Sequence, residues 1–176
     1  MAIVRAHGEA FAMGEAKMEA QFSRAHISKR DFEEAQDYLR AFRDEYPDSV
    51  KRALLVAATV SYARPFTEND PGDKRQSTAT LAIRLKKLLT PEEISLHEKL
   101  IAIRHEAVAH SAYLKKAAKR VSGVDSGFLV KAKPYDILAE PIDRQLFLAL
   151  STKLANHCFD SMYALNKKLS SGAGEP

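Results

Sequence analysis

Apolar residues recur every three or four positions along most of the chain, which is the period of an α-helix that buries one face. Five or six helices are predicted, at about residues 9–22, 28–46, 49–64, 76–89, 91–120 and 141–169. Long helices joined by short links favour antiparallel packing. The sequence therefore predicts an all-α fold, an up-and-down antiparallel bundle with four to five core helices.

Local signals mark the starts of two of these helices. Ser28 and Asp31 resemble a capping box in its carboxylate form. Thr90-Pro91-Glu92-Glu93 is a stronger signal, because Thr90 caps the helix, proline suits the first turn and Glu93 completes the box. The helix after Thr90 is expected to run to about Arg120.

The pattern also divides the chain. Residues 1–28 are predicted to be an N-terminal arm or helix, residues 29–169 the bundle domain and residues 170–176 a flexible tail. Within the bundle, residues 121–136 break the helical period with glycines, a proline and the β-prone run Phe128-Leu129-Val130. A small loop or β-hairpin insertion is expected there.

Composition narrows the class of protein. The chain has 176 residues, 45% of them hydrophobic and 28% charged, which is usual for a globular domain and excludes disorder along most of its length. A single cysteine, Cys158, excludes an intramolecular disulfide and favours a cytoplasmic setting. No signal peptide and no apolar run of membrane-spanning length is visible, so we expect no membrane association.

The net charge of +4 is unevenly distributed. Residues 1–73 carry 10 basic and 13 acidic side chains, whereas residues 74–120 carry 11 basic and 4 acidic ones, a local net charge of +7. A positive field of this kind attracts phosphate-rich partners. The alternative interpretation is a solvated, lysine-rich helix face.

The segment Arg104-His105-Glu106-Ala107-Val108-Ala109-His110 carries the most distinctive chemistry. Histidine exchanges protons near neutral pH, and a guanidinium binds phosphate in a bidentate manner. Arg104 and His110 are six positions apart, about 240° round a straight helix, so they do not share a face. Two facing copies of the helix in a dimer, or a kink, would bring the two residue types into one cleft.

Each candidate residue also has a structural interpretation. Arg104 would satisfy the hydrogen bonds of a loop, and His110 would be a buried imidazole bonded to Glu106. The spacing of His105 and His110 misses the i, i+4 geometry of helical zinc pairs, so no metal and no other cofactor is expected. His97 and Glu98 are predicted to be a surface pair on the same helix.

The segment resembles the HEPN superfamily, the higher eukaryote and prokaryote nucleotide-binding helical bundles. The superfamily signature is an arginine, four to six residues and a histidine, with a polar residue directly after the arginine, and Arg104, His105 and His110 match it. The wider segment Leu96 to Ser111 is similar to the corresponding segment of bacterial members, including abortive-infection relatives. Tyr62-Ala63-Arg64-Pro65-Phe66 resembles their Tyr-x-Arg-x-Phe element.

This resemblance implies a helical bundle, usually a homodimer, with the motif near the interface. It implies metal-independent endoribonuclease activity of a toxin or phage-defence type, with RNA as substrate and an antitoxin protein as a partner. Arg104 and His110 would be catalytic, and the supporting residues would be His105, Glu106, Ser111 and Arg64. Members paired with nucleotidyltransferase antitoxins carry His-x-Tyr, whereas Tyr113 here falls one place late.

Two further functional classes stay open. In one, the chain is a non-catalytic helical dimer module that binds nucleic acid, a nucleotide or a protein partner. In the other, it is a purely structural dimeric bundle. Arg104 and His110 would then be structural residues.

Overall fold

The computed structural model describes residues 2–67, 81, 83–105, 118–124, 127–132 and 136–172. The α-helices within these ranges are α1 (Ala2–Ala41), α2 (Asp48–Ala63), the single turn α3 (Leu85–Leu88), α4 (Pro91–Ile103) and α5 (Arg144–Gly172). Two short 3-10 turns cover Arg64–Phe66 and Ile137–Ala139. Strands β1 (Ala118–Val124) and β2 (Gly127–Ala132) form an antiparallel hairpin. The predicted all-α bundle is confirmed.

The four longer helices alternate in direction. Helix α1 packs along both α5 and α2. Arg144, at the start of α5, bonds Asp44 just beyond the end of α1, and Arg64 at the end of α2 bonds Glu34 within α1. Lys153 of α5 reaches Glu93 at the start of α4. These contacts place α1, α2, α4 and α5 in an up-and-down arrangement.

The core consists of the apolar stripes of these helices. Fully or almost fully buried side chains come from every long helix: Phe32, Ala35, Ala58, Tyr62, Leu100, Ile103, Phe147, Leu150, Leu154 and Cys158. Ile137, in the turn before α5, is also buried and belongs to this core. The buried residues of α4 and α5 recur with the period of three to four residues that predicted these helices, as at Leu96, Leu100 and Ile103 and at Leu150, Leu154 and Cys158. No helix in the described ranges is long and apolar enough to cross a membrane.

The helix start predicted at Ser28 is wrong. Helix α1 runs without a break from Ala2 to Ala41, and the Ser28 side chain is fully buried within it. Burial of Ala25 and Phe32, on the two turns that flank Ser28, outweighs the local capping signal. Between residues 14 and 23 no α1 side chain is buried, and Arg24 and Ala25 are the first buried side chains in the part of α1 whose burial is described. The domain division at residue 28 stays a prediction.

Two further boundaries differ from expectation. Ala118–Val124 form strand β1, so the predicted helix from Thr90 to Arg120 is wrong in its last turn, and the hairpin begins three residues early. Paired strand hydrogen bonds satisfy the backbone there instead of helical ones. Helix α5 continues to Gly172, so the first residues of the predicted flexible tail are helical.

Two phenylalanines of α5 test which face of this helix is inward. Phe147 is 0% exposed and Phe159 is 55% exposed. We expect Phe147→Ala to lower the free energy of unfolding by about 3–5 kcal/mol, because it empties a packed site. Phe159→Ala, the matched control, should change it by less than about 0.5 kcal/mol. Denaturant titration measures both, and equal losses would contradict the assigned orientation of α5.

Candidate functional site

Helix α4, which leads into the Arg104 motif, is anchored at its start by a carboxylate. Thr90 Oγ1 accepts a hydrogen bond from the Glu93 amide at 3.2 Å, and the Glu93 carboxylate accepts one from the Thr90 amide at 2.8 Å. This confirms the predicted capping box. Lys153 Nζ also lies 2.7 Å from Glu93 Oε2. Burial opposes ionisation, but these hydrogen bonds outweigh it and lower the pKa of Glu93.

One turn further along α4, His97 is buried and bonded to α2. Its Nδ1 lies 2.9 Å from the hydroxyl of Tyr62, and its ring packs edge-on against Phe66 at 4.6 Å between centroids. Burial raises the pKa of Tyr62, with the Glu93 charge adding to the shift, and burial lowers the pKa of His97 against the opposing charge of Glu98. The hydrogen bond therefore joins a protonated phenol and a neutral imidazole, and the tautomer of His97 decides which of the two donates.

The predicted surface pair of His97 and Glu98 is thus wrong for His97. Only 9% of His97 is exposed, whereas Glu98 faces solvent. The position of His97 was the sequence signal for its burial, because it stands between Leu96 and Leu100 on the buried stripe of α4. Its hydrogen-bond partner Tyr62 is 35 positions away and cannot be read from local spacing.

Helix α4 changes geometry where the motif begins. After Ile103 the chain continues through Arg104 and His105 as a π-helical turn. Such turns are rare, and they occur often at functional sites. Arg104 is half-buried and His105 is exposed. Arg104 Nη1 lies 3.3 Å from His105 Nδ1, so the structure brings these two predicted site residues together.

Arg64, the predicted supporting residue at the end of α2, points instead toward α1. Its guanidinium contacts the carboxylates of Asp31, at 3.3 Å, and Glu34. Glu34 also accepts hydrogen bonds from Ser61 at 2.9 Å and Tyr38 at 3.1 Å. Two carboxylates beside the guanidinium repel an anion, which weakens the predicted role of Arg64 as a phosphate ligand.

These contacts also shift the pKa values of the acidic partners in opposite directions. Burial raises the pKa of Asp31 against the opposing effect of the Arg64 hydrogen bond. For Glu34, burial is outweighed by the hydrogen bond from Ser61 and the charge of Arg64, so its pKa is lowered.

Arg24 further fixes this end of α2 by donating to the Pro65 carbonyl oxygen at 2.9 Å.

The remaining predicted site residues, Glu106, His110 and Ser111, lie outside the described residues. Within the described ranges, no three histidine, cysteine, aspartate or glutamate side chains are grouped so as to hold a metal ion. Cys158 is buried, and burial raises the pKa of its thiol to about 11, which disfavours a nucleophilic thiolate.

Comparison with protein-family models, with curated proteins and with solved structures found no match to this chain.

The buried His97 predicts how stability depends on pH. Because the pKa of His97 lies below its ordinary value of 6.5 in the folded protein, the unfolded chain binds the proton more readily. The free energy of unfolding should therefore fall as the pH drops below about 6.5. Denaturant titrations between pH 7 and pH 5 should show a smaller fall for His97→Asn than for the wild type.

The exposed His26 provides the matched control for this experiment. His26→Asn should keep the pH dependence of the wild type. Identical pH dependence in the wild type and His97→Asn would show that the buried imidazole does not couple proton binding to folding.

Proposed function

We propose that this protein is a HEPN-like helical bundle that acts as a metal-independent endoribonuclease of a toxin or phage-defence type. The observation that carries the proposal is the π-helical turn at Arg104 and His105, where the guanidinium and an imidazole meet at the end of an anchored helix. The antiparallel bundle fold is compatible with it, as is the net charge of +7 over residues 74–120.

The proposed chemistry needs no metal. Arg104 binds the scissile phosphate and stabilises the charge that develops on its oxygens. His110 acts as general acid or base near neutral pH. A 2′-hydroxyl attacks the adjacent phosphorus, the bond to the 5′-oxygen breaks, and a 2′,3′-cyclic phosphate remains. His105, Glu106 and Ser111 support Arg104 and His110. Arg64 has only a secondary role in binding the phosphate, because two carboxylates already pair with its guanidinium.

The proposal includes a homodimer. On a straight helix Arg104 and His110 are about 240° apart, so one copy alone does not present them together. A second copy facing the first would supply the missing partner in each cleft. An antitoxin protein is the partner that the resemblance to HEPN toxins suggests.

The second candidate function is a non-catalytic module that binds nucleic acid, a nucleotide or a protein. The uneven charge of the chain supports it without requiring a reaction. In that case Arg104 and His105 are a structural pair that completes α4, and their hydrogen bond at 3.3 Å is part of the fold.

Cleavage of mixed cellular RNA in the presence of EDTA separates these candidates. We expect the wild type to cleave, and Arg104→Ala and His110→Ala to lose about 10²-fold or more in rate, as for removal of a general acid or base. The matched controls are Arg43→Ala and His26→Ala, at exposed positions outside the basic segment 74–120. Both should cleave like the wild type.

Thermal melting of each variant distinguishes loss of chemistry from loss of folding. His110→Ala should melt at nearly the wild-type temperature if its role is chemical. Absence of cleavage by the wild type, or cleavage that is unchanged in both site variants, would contradict the proposed ribonuclease activity. The non-catalytic binding module would then be the remaining candidate.

A further inference from the structure

The short segment before α4 separates apolar from cationic side chains. Its leucines pack in or against the core, and these are Leu85, Leu88 and Leu89. Its cationic side chains are exposed, and these are Arg84, Lys86 and Lys87. We call residues 84–89 the cationic turn. Because the leucines attach the turn to the core, its charged side is a fixed part of the protein surface.

Hydrogen bonds also fix the backbone of the cationic turn. The Lys87 amide donates to the Arg84 carbonyl oxygen at 2.9 Å. The Leu89 amide donates to the Leu85 carbonyl oxygen at 2.8 Å. The next residue, Thr90, begins α4 with its capping box. Charged groups on a fixed backbone lose less conformational freedom on binding, because only their side chains remain to be ordered.

The cations of this turn differ from those on three of the long helices. Ion pairs neutralise cations of α1, α2 and α5: Arg40 with Asp37, Lys51 with Asp48, Arg52 with Asp136, Arg144 with Asp44 and Lys153 with Glu93. Among the carboxylates that the structure describes, none forms an ion pair with Arg84, Lys86 or Lys87. Three like charges within four residues repel one another, so this surface favours a polyanion.

The cationic turn and the Arg104 motif lie at the two ends of one helix. From Thr90 to Arg104 the chain rises about 1.5 Å per residue, which gives a separation of about 21 Å. A strand of stacked nucleic acid carries one phosphate per roughly 3.4 Å of its axis, so about six nucleotides cover this distance. A linear polyanion of that length reaches both ends of α4, whereas a single phosphate group does not.

We propose that the cationic turn binds the phosphate backbone of RNA and holds the strand along α4. Lysine and arginine contacts to phosphate position a nucleic acid without reading its sequence, so this contact is indifferent to the bases. The choice of RNA as the polyanion rests on the proposed function, but binding by the turn does not require cleavage. In the ribonuclease, the turn holds the strand about six nucleotides from the phosphate that Arg104 binds.

The test measures binding of a labelled, mixed-sequence single-stranded RNA to the full chain by fluorescence anisotropy. The parent chain carries His110→Ala, which prevents the proposed cleavage. The test variant adds Arg84→Ala, Lys86→Ala and Lys87→Ala. Loss of three phosphate contacts should weaken binding by about fivefold per cation at about 0.1 M salt, or about 100-fold in all. The slope of log affinity against log salt should fall by about 2.

A matched control removes the same charge from other exposed positions, with Lys17→Ala, Lys167→Ala and Lys168→Ala. This control variant should bind RNA like the parent, and both triple variants should melt at the temperature of the parent because the replaced side chains are exposed. A third variant, Lys86→Arg with Lys87→Arg, keeps the charge and should keep the affinity. Equal affinities and salt slopes in the two triple variants would overturn the proposal, and so would a parent that binds no RNA.

Competition experiments test whether the turn accepts any polyanion. Unlabelled RNA should displace the labelled RNA from the parent, whereas polyglutamate and phosphatidylserine vesicles should be much weaker competitors at the same concentration of charge. Competition by either one as effective as that by RNA would overturn the assignment of the turn to a nucleic acid.

The outcomes also distinguish this proposal from the ribonuclease. Loss of affinity in the test variant, combined with no cleavage by the wild type, supports the contact at the cationic turn and rejects the enzyme. Cleavage by the wild type, combined with unchanged affinity and salt slope in the test variant, rejects the contact and keeps the enzyme.

Discussion

The fold depends on the burial of one aromatic side chain, Tyr62, where four helices meet. Its ring packs edge-on against Phe147 of α5 at 5.2 Å between centroids and lies 5.7 Å from Phe32 of α1. Its hydroxyl bonds His97 of α4. Loss of this ring would leave a cavity at the junction and a buried imidazole without its partner, so packing and polar satisfaction depend on the same residue.

This junction also fixes the helix on which the proposed chemistry depends. Helix α4 is attached to α5 through Glu93 and Lys153, and to α2 through His97 and Tyr62. Both attachments lie upstream of the π-helical turn that contains Arg104. A functional group needs a rigid support if it is to hold a phosphate in a defined position. The buried contact of His97 with Tyr62 and the partly buried contact of Glu93 with Lys153 provide that support.

Local patterns predicted the parts of the fold that are decided locally. Periodicity identified α2, α4 and α5, and Thr90 marked the start of α4. The pattern failed where contacts with distant residues determine the local structure. Ser28 became buried within α1 because of its tertiary surroundings, and residues 118–124 paired as a strand with a partner further along the chain.

The candidate site also combines features that local sequence predicts with contacts that only distant residues determine. The sequence indicated the residue types of the motif and the start of the helix that carries it. The bond from His97 to Tyr62 and the pairing of Arg64 with α1 carboxylates join positions some thirty residues apart. No helical spacing encodes such contacts, because they arise only once the helices have packed.

We propose that Arg104 and His110 cleave RNA by using its own 2′-hydroxyl. The most direct measurement compares an RNA oligonucleotide with its fully 2′-O-methylated counterpart, both incubated with the wild-type protein in EDTA. We expect only the unmodified RNA to be cut, into products that end in a 2′,3′-cyclic phosphate. Cleavage of both, or an intact unmodified RNA, would contradict it.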